Sequence, residues 1–182
     1  MHGALFFGWT LLLALQAALA AARRLRLHRA IGSAGAWLVA PMLVMGAVVA
    51  VADSAHDYRA GQGDAALTFF YGELADLAMF GLLAGGAMLL RGRPEWHKRW
   101  VIMGSLGLLG AAMGRIPELD GLVDLILLAL VGSVAAYDLA SRRMLHWATL
   151  IGAAVLLALN RTEEPIGSTQ AWLALAHSLL RL

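Results

Sequence analysis

The chain has 182 residues, and 60% of them are hydrophobic even before its 20 glycines are counted. Typical soluble domains contain about 45–50% apolar residues with glycine included and about 25% charged residues. Only 14% of the residues are charged here, and a soluble domain of this size would expose too much apolar surface. The composition therefore excludes an ordinary soluble globule and a disordered chain, and it predicts an integral membrane protein.

The absence of cysteine and the small net charge exclude several other classes of function. With no cysteine in the chain, disulfides, thiolate metal sites and cysteine nucleophiles are ruled out. A net charge of +2 gives little support to a nucleic-acid-binding surface. The expected partners are the lipid bilayer and either a membrane partner subunit or further copies of the chain.

Seven apolar segments follow one another along the chain, and about 20 residues suffice for a helix to cross a bilayer. The predicted helices are 3–22, 30–52, 67–90, 97–116, 120–139, 145–160 and 168–181. The sixth is short, and the seventh is short enough to lie in the membrane interface instead. We therefore predict an all-α transmembrane bundle of six or seven spans that forms one domain over residues 1–182. Glycines 104, 107, 110 and 114 in the fourth span are expected to allow close helix packing.

Basic residues concentrate in alternate turns, which predicts the orientation by the positive-inside rule. Eleven of the 14 lie on one side if the seventh segment spans: Arg23, Arg24, Arg26, Arg29, Arg91, Arg93, Lys98, Arg99, Arg142, Arg143 and Arg181. Three lie on the other side: Arg59, Arg115 and Arg161. The N-terminus is therefore expected outside, in a bacterial cytoplasmic (inner) membrane.

Two acids lie within the third predicted span, where a charge costs roughly 2.5–3.5 kcal/mol on insertion scales. Glu73 and Asp76 are three residues apart and share one helix face. Pro94 marks the following turn, and Glu73 and Arg115 each lie 21 residues from it. Two antiparallel helices then place Glu73 and Arg115 at the same depth, which predicts an ion pair. The alternative is a site for a proton, a cation or another ligand.

Further polar residues are expected on the same outer side. Asp53 and His56 follow the second predicted span, and Asp120 and Asp124 begin the fifth. We expect Asp53, His56 and Asp124 to join Glu73, Asp76 and Arg115 in an outer polar cluster. No metal site is predicted, because the chain contains neither His-x-x-x-His nor His-Glu-x-x-His spacing.

Three histidines each open a predicted helix just after a basic turn: His28, His97 and His146. A membrane-bound b-type haem needs two imidazoles at matching depth and arginines near its propionates. Arg24, Arg93 and Arg99 are the candidates for those anionic groups. The alternative is that these histidines are interfacial anchors or contacts to lipid headgroups.

The first two-thirds of the chain resembles a group of small bacterial multi-pass membrane proteins of unknown function. Leu67 to Leu119 contains DLAMF, RGRPEWHKRWVIMG and MGRIPEL, which match their order of a span, an Arg-rich His-Lys-Arg turn, and a closing Arg near Pro. Gln16 and LHRAIGSAG at 27–35 fit the same pattern, whereas Met103 comes later after Lys98 than the pattern has it. Through histidines at helix ends, the chain is more loosely similar to cytochrome b561-type and haem-linked oxidase-assembly membrane proteins, and this similarity implies haem.

These observations give two leading hypotheses for function. The first is a membrane protein linked to haem or respiratory redox chemistry, either as an electron carrier or as an assembly factor. The second is an outward-opening protein that binds or transports a small molecule or ion through Glu73, Asp76, Arg115 and Asp124. A membrane-embedded hydrolase is less favoured, because no Gly-x-Ser-x-Gly or paired-histidine motif is present.

Overall fold

The computed structural model describes residues 2–119 and 121–181, and no strand occurs within those ranges. The described chain forms ten α-helices, which confirms the all-α prediction. They are α1 (His2–Ala21), α2 (Leu25–Ala36), α3 (Val39–Asp57), α4 (Asp64–Phe80), α5 (Gly86–Leu89), α6 (Pro94–Met113), α7 (Val123–Arg142), α8 (Trp147–Asn160), α9 (Glu163–Gly167) and α10 (Gln170–Leu180). A π-helical turn, Gly81–Gly85, joins α4 to α5.

Within the described residues, four helical stretches are long and apolar enough to cross a membrane, judged by length and composition. They are Gly3–Ala21, Leu25–Gln62, Asp64–Leu89 and Val123–Arg142. Helix α6 has 20 residues, but its first turns carry Glu95, Lys98 and Arg99. Helix α10 has only 11 residues, so it rises about half the thickness of a bilayer core.

The backbone groups into two compact units, Met1–Val49 and Ala50–Leu182, with the boundary inside α3. In the first unit, α1 and α2 are packed so closely that a Cβ on Gly35 would lie 2.3 Å from Leu12 Cδ2. The prediction of one domain over residues 1–182 is not tested by this grouping.

In the second unit, α6 packs against α4, α7 and α8. Its core is a buried cluster of apolar side chains from these four helices and the π-helical turn: Met79, Leu83, Met103, Leu127, Val131 and Leu156. A second cluster joins α10 to α4, where Leu173 and Ala176 pack with Leu67 and Phe70. The chain enters α4 through Gly61 and Gly63, whose φ angles of +97° and +58° are ones that glycine adopts without a Cβ clash.

The glycines of α6 differ in what they pack against. A Cβ on Gly104 would lie 3.2 Å from the backbone nitrogen of Ala84, and one on Gly107 would lie 1.7 Å from Met79 Cε. A Cβ on Gly110 would make only ordinary contact with Leu127, and one on Gly114 would meet the carbonyls of its own helix. Gly104 and Gly107 therefore allow α6 to pack closely against α4 and the π-helical turn that follows it. The Gly110–Gly114 pair makes no such close contact.

Candidate functional site

An ion pair joins α4 to the residues that follow α6, as the equal spacing from Pro94 predicts. Arg115 Nη2 donates to Glu73 Oε1, and Arg115 Nη1 donates to the Ala111 carbonyl at 2.8 Å. The Ser54 hydroxyl lies 3.5 Å from Glu73 Oε2, to which it donates. The predicted pair is confirmed, because the constant rise of an α-helix converts sequence distance from a turn into depth.

The two members of this pair differ in exposure. The Glu73 side chain is 9% exposed, whereas that of Arg115 is 46% exposed. The Arg115 guanidinium also lies 5.6 Å from the centroid of the Phe69 ring, within the range of a cation–π contact. Arg115 therefore covers a buried carboxylate from a position that solvent reaches.

Two more carboxylates lie near this pair. Asp76 is within electrostatic range of Glu163, Arg115 and Glu73. Glu163 begins α9, and a Cβ on Gly72 would lie 2.5 Å from Glu163 Oε2. Burial, and then repulsion by Glu164, raise the pKa of Glu163.

The sequence analysis did not assign Glu163 to this cluster. Its proximity depends on α9 folding back onto α4, which no local pattern indicates. We call Glu73, Asp76, Glu163 and Arg115 the outer acidic cluster. It holds three carboxyl groups and one guanidinium.

The other residues predicted for this cluster have different environments. Asp53 is exposed but within electrostatic range of Glu73, and His56 is exposed. Asp124 is a correction: its Oδ2 pairs with Arg161 Nη1 at 3.1 Å, and both side chains are largely exposed. Asp120 lies outside the described residues. Over ranges 2–119 and 121–181, no three His, Asp or Glu side chains form a group that could hold a metal ion.

A second polar network lies at the opposite end of α6, and it is almost completely buried. Arg99 Nε donates to Asp138 Oδ1 and to Thr149 Oγ1, each at 3.0 Å, and Arg99 Nη1 donates to the Glu95 carbonyl at 2.9 Å. Asp138 also accepts from the Thr149 hydroxyl and from the His146 backbone N–H at 3.1 Å. We call this network, which joins α6, α7 and α8, the inner clasp.

The inner clasp corrects the expected role of Arg99. Its side chain is 2% exposed, and Asp138 is fully buried, so the guanidinium is turned to internal partners instead of an anionic ligand. The sequence analysis overlooked Asp138, an acidic residue within an apolar segment. Arg99 lies five residues after Pro94, and Asp138 lies five residues before Arg143, so the same depth argument would have paired them.

The three predicted haem-ligating histidines have internal partners. His97 Nδ1 lies 2.8 Å from the Ala87 carbonyl. His146 caps α8, where its Nδ1 accepts the Ala148 N–H at 3.0 Å. His28 belongs to the first unit, and the Gln16 amide, oriented to donate, reaches its Nδ1 at 2.7 Å.

The capping bond of His146 weighs against iron binding at this ring. Because Nδ1 accepts a hydrogen bond, the proton of the neutral ring sits on Nε2, which leaves no lone pair for iron. Arg24 and Arg93, the other predicted contacts to propionates, are exposed residues that precede α2 and α6.

No family model, curated protein or solved structure matches this chain. The resemblance to small bacterial multi-pass proteins therefore stays a prediction. The functional argument rests on the chemistry of the outer acidic cluster and of the inner clasp.

Proposed function

We propose that this chain is a multi-pass membrane protein that binds a small organic cation at the outer acidic cluster, in exchange for protons. The observation that carries the proposal is the charge imbalance around Glu73. Three carboxyl groups share this region with one guanidinium, which already pairs with Glu73.

The imbalance matters because unpaired charge is costly in a low-dielectric environment. Asp76 and Glu163 form no ion pair among the described residues, so a bound proton or another cation would relieve their unpaired charge. A cation that enters displaces a proton from a carboxyl group to water, and the carboxylate formed then holds the cation.

The proposed topology has six spans with both ends of the chain outside, in a bacterial inner membrane. Helices α2 and α3 form one span and α4 and α5 another, whereas α10 stays on the outer side beside α4. Support for this position of α10 comes from Trp172 Nε1, which donates to the Leu67 carbonyl at 2.8 Å. Ten of the 14 basic residues then lie in the inner turns or near the inner ends of the adjoining helices. A reporter fused after Arg93 should be cytoplasmic and one fused at Gly61 periplasmic.

Proton release on cation binding tests the proposal. Purified full-length protein in weakly buffered detergent solution, with a pH-sensitive dye, is titrated with methylammonium, tetramethylammonium or guanidinium chloride. At least one of these cations should release protons in a saturable manner. Asp76→Asn should reduce the release, because it removes one of the two carboxyl groups outside the Glu73–Arg115 pair.

The matched control is Asp124→Asn, which changes an exposed acid paired with Arg161. It should leave the proton release unchanged. The proposal fails if none of the three cations releases protons, or if Asp124→Asn reduces the release as much as Asp76→Asn does.

A haem-linked redox or assembly role is the second proposal, and its support now comes from His97. The bond between Nδ1 and the Ala87 carbonyl orients the ring as in many metal-ligating imidazoles. Protein expressed with haem available should then show a Soret band that His97→Ala removes. His177→Ala, which changes a histidine on α10 outside the predicted haem site, should preserve the band. A colourless wild-type protein would exclude this role.

A further inference from the structure

Two basic turns lie side by side at the end of the second unit that carries the inner clasp. The first connects α5 to α6, and the second connects α7 to α8. Arg142 Nη2 lies 2.6 Å from Glu95 Oε2 across them, and the Trp96 and His146 rings meet edge to face at 5.9 Å. The two turns therefore form one continuous surface.

This surface carries an excess of positive charge, and we call it the basic face. Its cations are Arg91, Arg93, Lys98, Arg142 and Arg143. Glu95 is engaged by Lys98, Arg99 and Arg142. Among the described residues, no carboxylate forms an ion pair with the exposed Arg91, Arg93 or Arg143, so these three are available to an anion from outside the chain.

Arg143 occupies a backbone conformation that favours another residue type. Its φ is +58°, and its N–H caps α7 by donating to the Leu139 carbonyl at 2.9 Å. Glycine is the usual residue at such a helix end, because a Cβ is disfavoured in the left-handed region. Replacing Arg143 with glycine would therefore remove the positive side chain without straining this backbone.

Large apolar side chains border these arginines. Leu89 is 87% exposed, Met144 64% and Trp147 69%. Arginine forks bind phosphate groups, and tryptophan favours the boundary between headgroups and acyl chains. The combination is typical of a lipid-facing surface at headgroup depth.

We propose that the basic face binds the headgroups of anionic phospholipids in the inner leaflet. Arg91, Arg93 and Arg143 hold the phosphate groups, while Leu89 and Trp147 contact the upper acyl chains. This proposal depends on the chain being inserted in a membrane, and it is independent of cation binding at the outer acidic cluster.

Lipid titration of the purified full-length protein in detergent tests this proposal. Phosphatidylglycerol should raise the melting temperature by several degrees and remain bound in native mass spectra, and phosphatidylcholine should do neither. Arg143→Gly is the most informative single change, because it removes the charge while the backbone conformation favours glycine. Combined with Arg91→Gln and Arg93→Gln, it should remove at least half of the shift.

Arg59→Gln is the control, because it removes an exposed arginine from the turn before α4, outside the basic face. It should keep the full phosphatidylglycerol shift. Equal shifts with phosphatidylglycerol and phosphatidylcholine would overturn the proposal, as would a full shift in the triple variant. Inorganic phosphate at matched concentration should have no effect, and an equal effect would rule out a lipid as the source of the anion.

Discussion

Replacing Asp138 with alanine tests the inner clasp most directly. The side chain is fully buried, and it accepts hydrogen bonds from Arg99, Thr149 and the His146 backbone. Asp138→Ala removes this acceptor and leaves the buried Arg99 guanidinium with Glu95 as its remaining acidic partner. Helix α7 then loses its hydrogen bonds to α6 and α8 within the inner clasp.

The size of the effect follows from the burial. Removing one partner of a buried ion pair typically costs about 3–5 kcal/mol. The Thr149 hydroxyl and the His146 N–H also lose their acceptor, and a buried unsatisfied group costs about 1–3 kcal/mol. We therefore expect Asp138→Ala to lower the free energy of unfolding by about 5 kcal/mol, the upper end of the range for a broken buried ion pair. For a chain of this size, about 2–4 °C per kcal/mol gives a melting temperature lower by about 10–20 °C.

Thermal denaturation in detergent, followed by circular dichroism, measures this difference. Asp124→Ala is the matched control, because Asp124 is also on α7 but forms an exposed pair with Arg161. Exposed pairs contribute about 0–1 kcal/mol, so the control should melt within about 4 °C of the wild type. The double change Arg99→Leu with Asp138→Leu should recover much of the loss, because it leaves no lone buried charge.

Two outcomes would refute this reasoning. If Asp138→Ala lowers the melting temperature no more than Asp124→Ala does, the inner clasp contributes little to stability. If the double variant is as unstable as the single variant, the loss comes from packing and not from an uncompensated charge.

Three further variants test other contacts, each by its melting temperature. Arg115→Leu should destabilise the protein less than Asp138→Ala does, because Arg115 is half exposed. Adding Glu73→Leu should recover the loss. A double variant less stable than Arg115→Leu would contradict a charge-based cause. Gly86→Ala places a Cβ 2.6 Å from a tryptophan ring and should cost about 1–3 kcal/mol, whereas Gly85→Ala, with open space around it, should be neutral or stabilising. Because the folded-state pKa of Glu163 is raised above 4.5, stability should fall as pH rises through that raised pKa, and Glu163→Gln should flatten this dependence.

The Glu73–Arg115 pair shows what can be predicted by counting residues in the sequence. A hairpin of two helices with a tight turn has one variable, the distance from the turn, and helix rise per residue is constant. Counting residues from Pro94 was therefore enough to place Glu73 opposite Arg115. The same regularity holds for Arg99 and Asp138, although these lie on helices joined by a different turn.

Glu163 and Asp124 show where that reasoning stops. Glu163 reaches the outer acidic cluster because α9 packs on α4 over Gly72, and the two segments are about 90 residues apart. Asp124 lies at the expected end of its helix, but rotation about the helix axis turns it to Arg161. The depth of a residue along its helix can be counted from the sequence. The direction in which its side chain points depends on which neighbours the helix packs against.

The sequence by itself determined the all-helical fold, the membrane-compatible composition and the depth of the charged residues along their helices. These follow from hydrophobicity and from helix rise, which act within one segment. Only the tertiary structure decided that Arg99 closes an internal clasp, that His146 caps a helix and that Glu163 joins Glu73 and Asp76. Each of these depends on contacts between segments distant in sequence, because the free energy of a buried charge is set by the partners that packing brings to it.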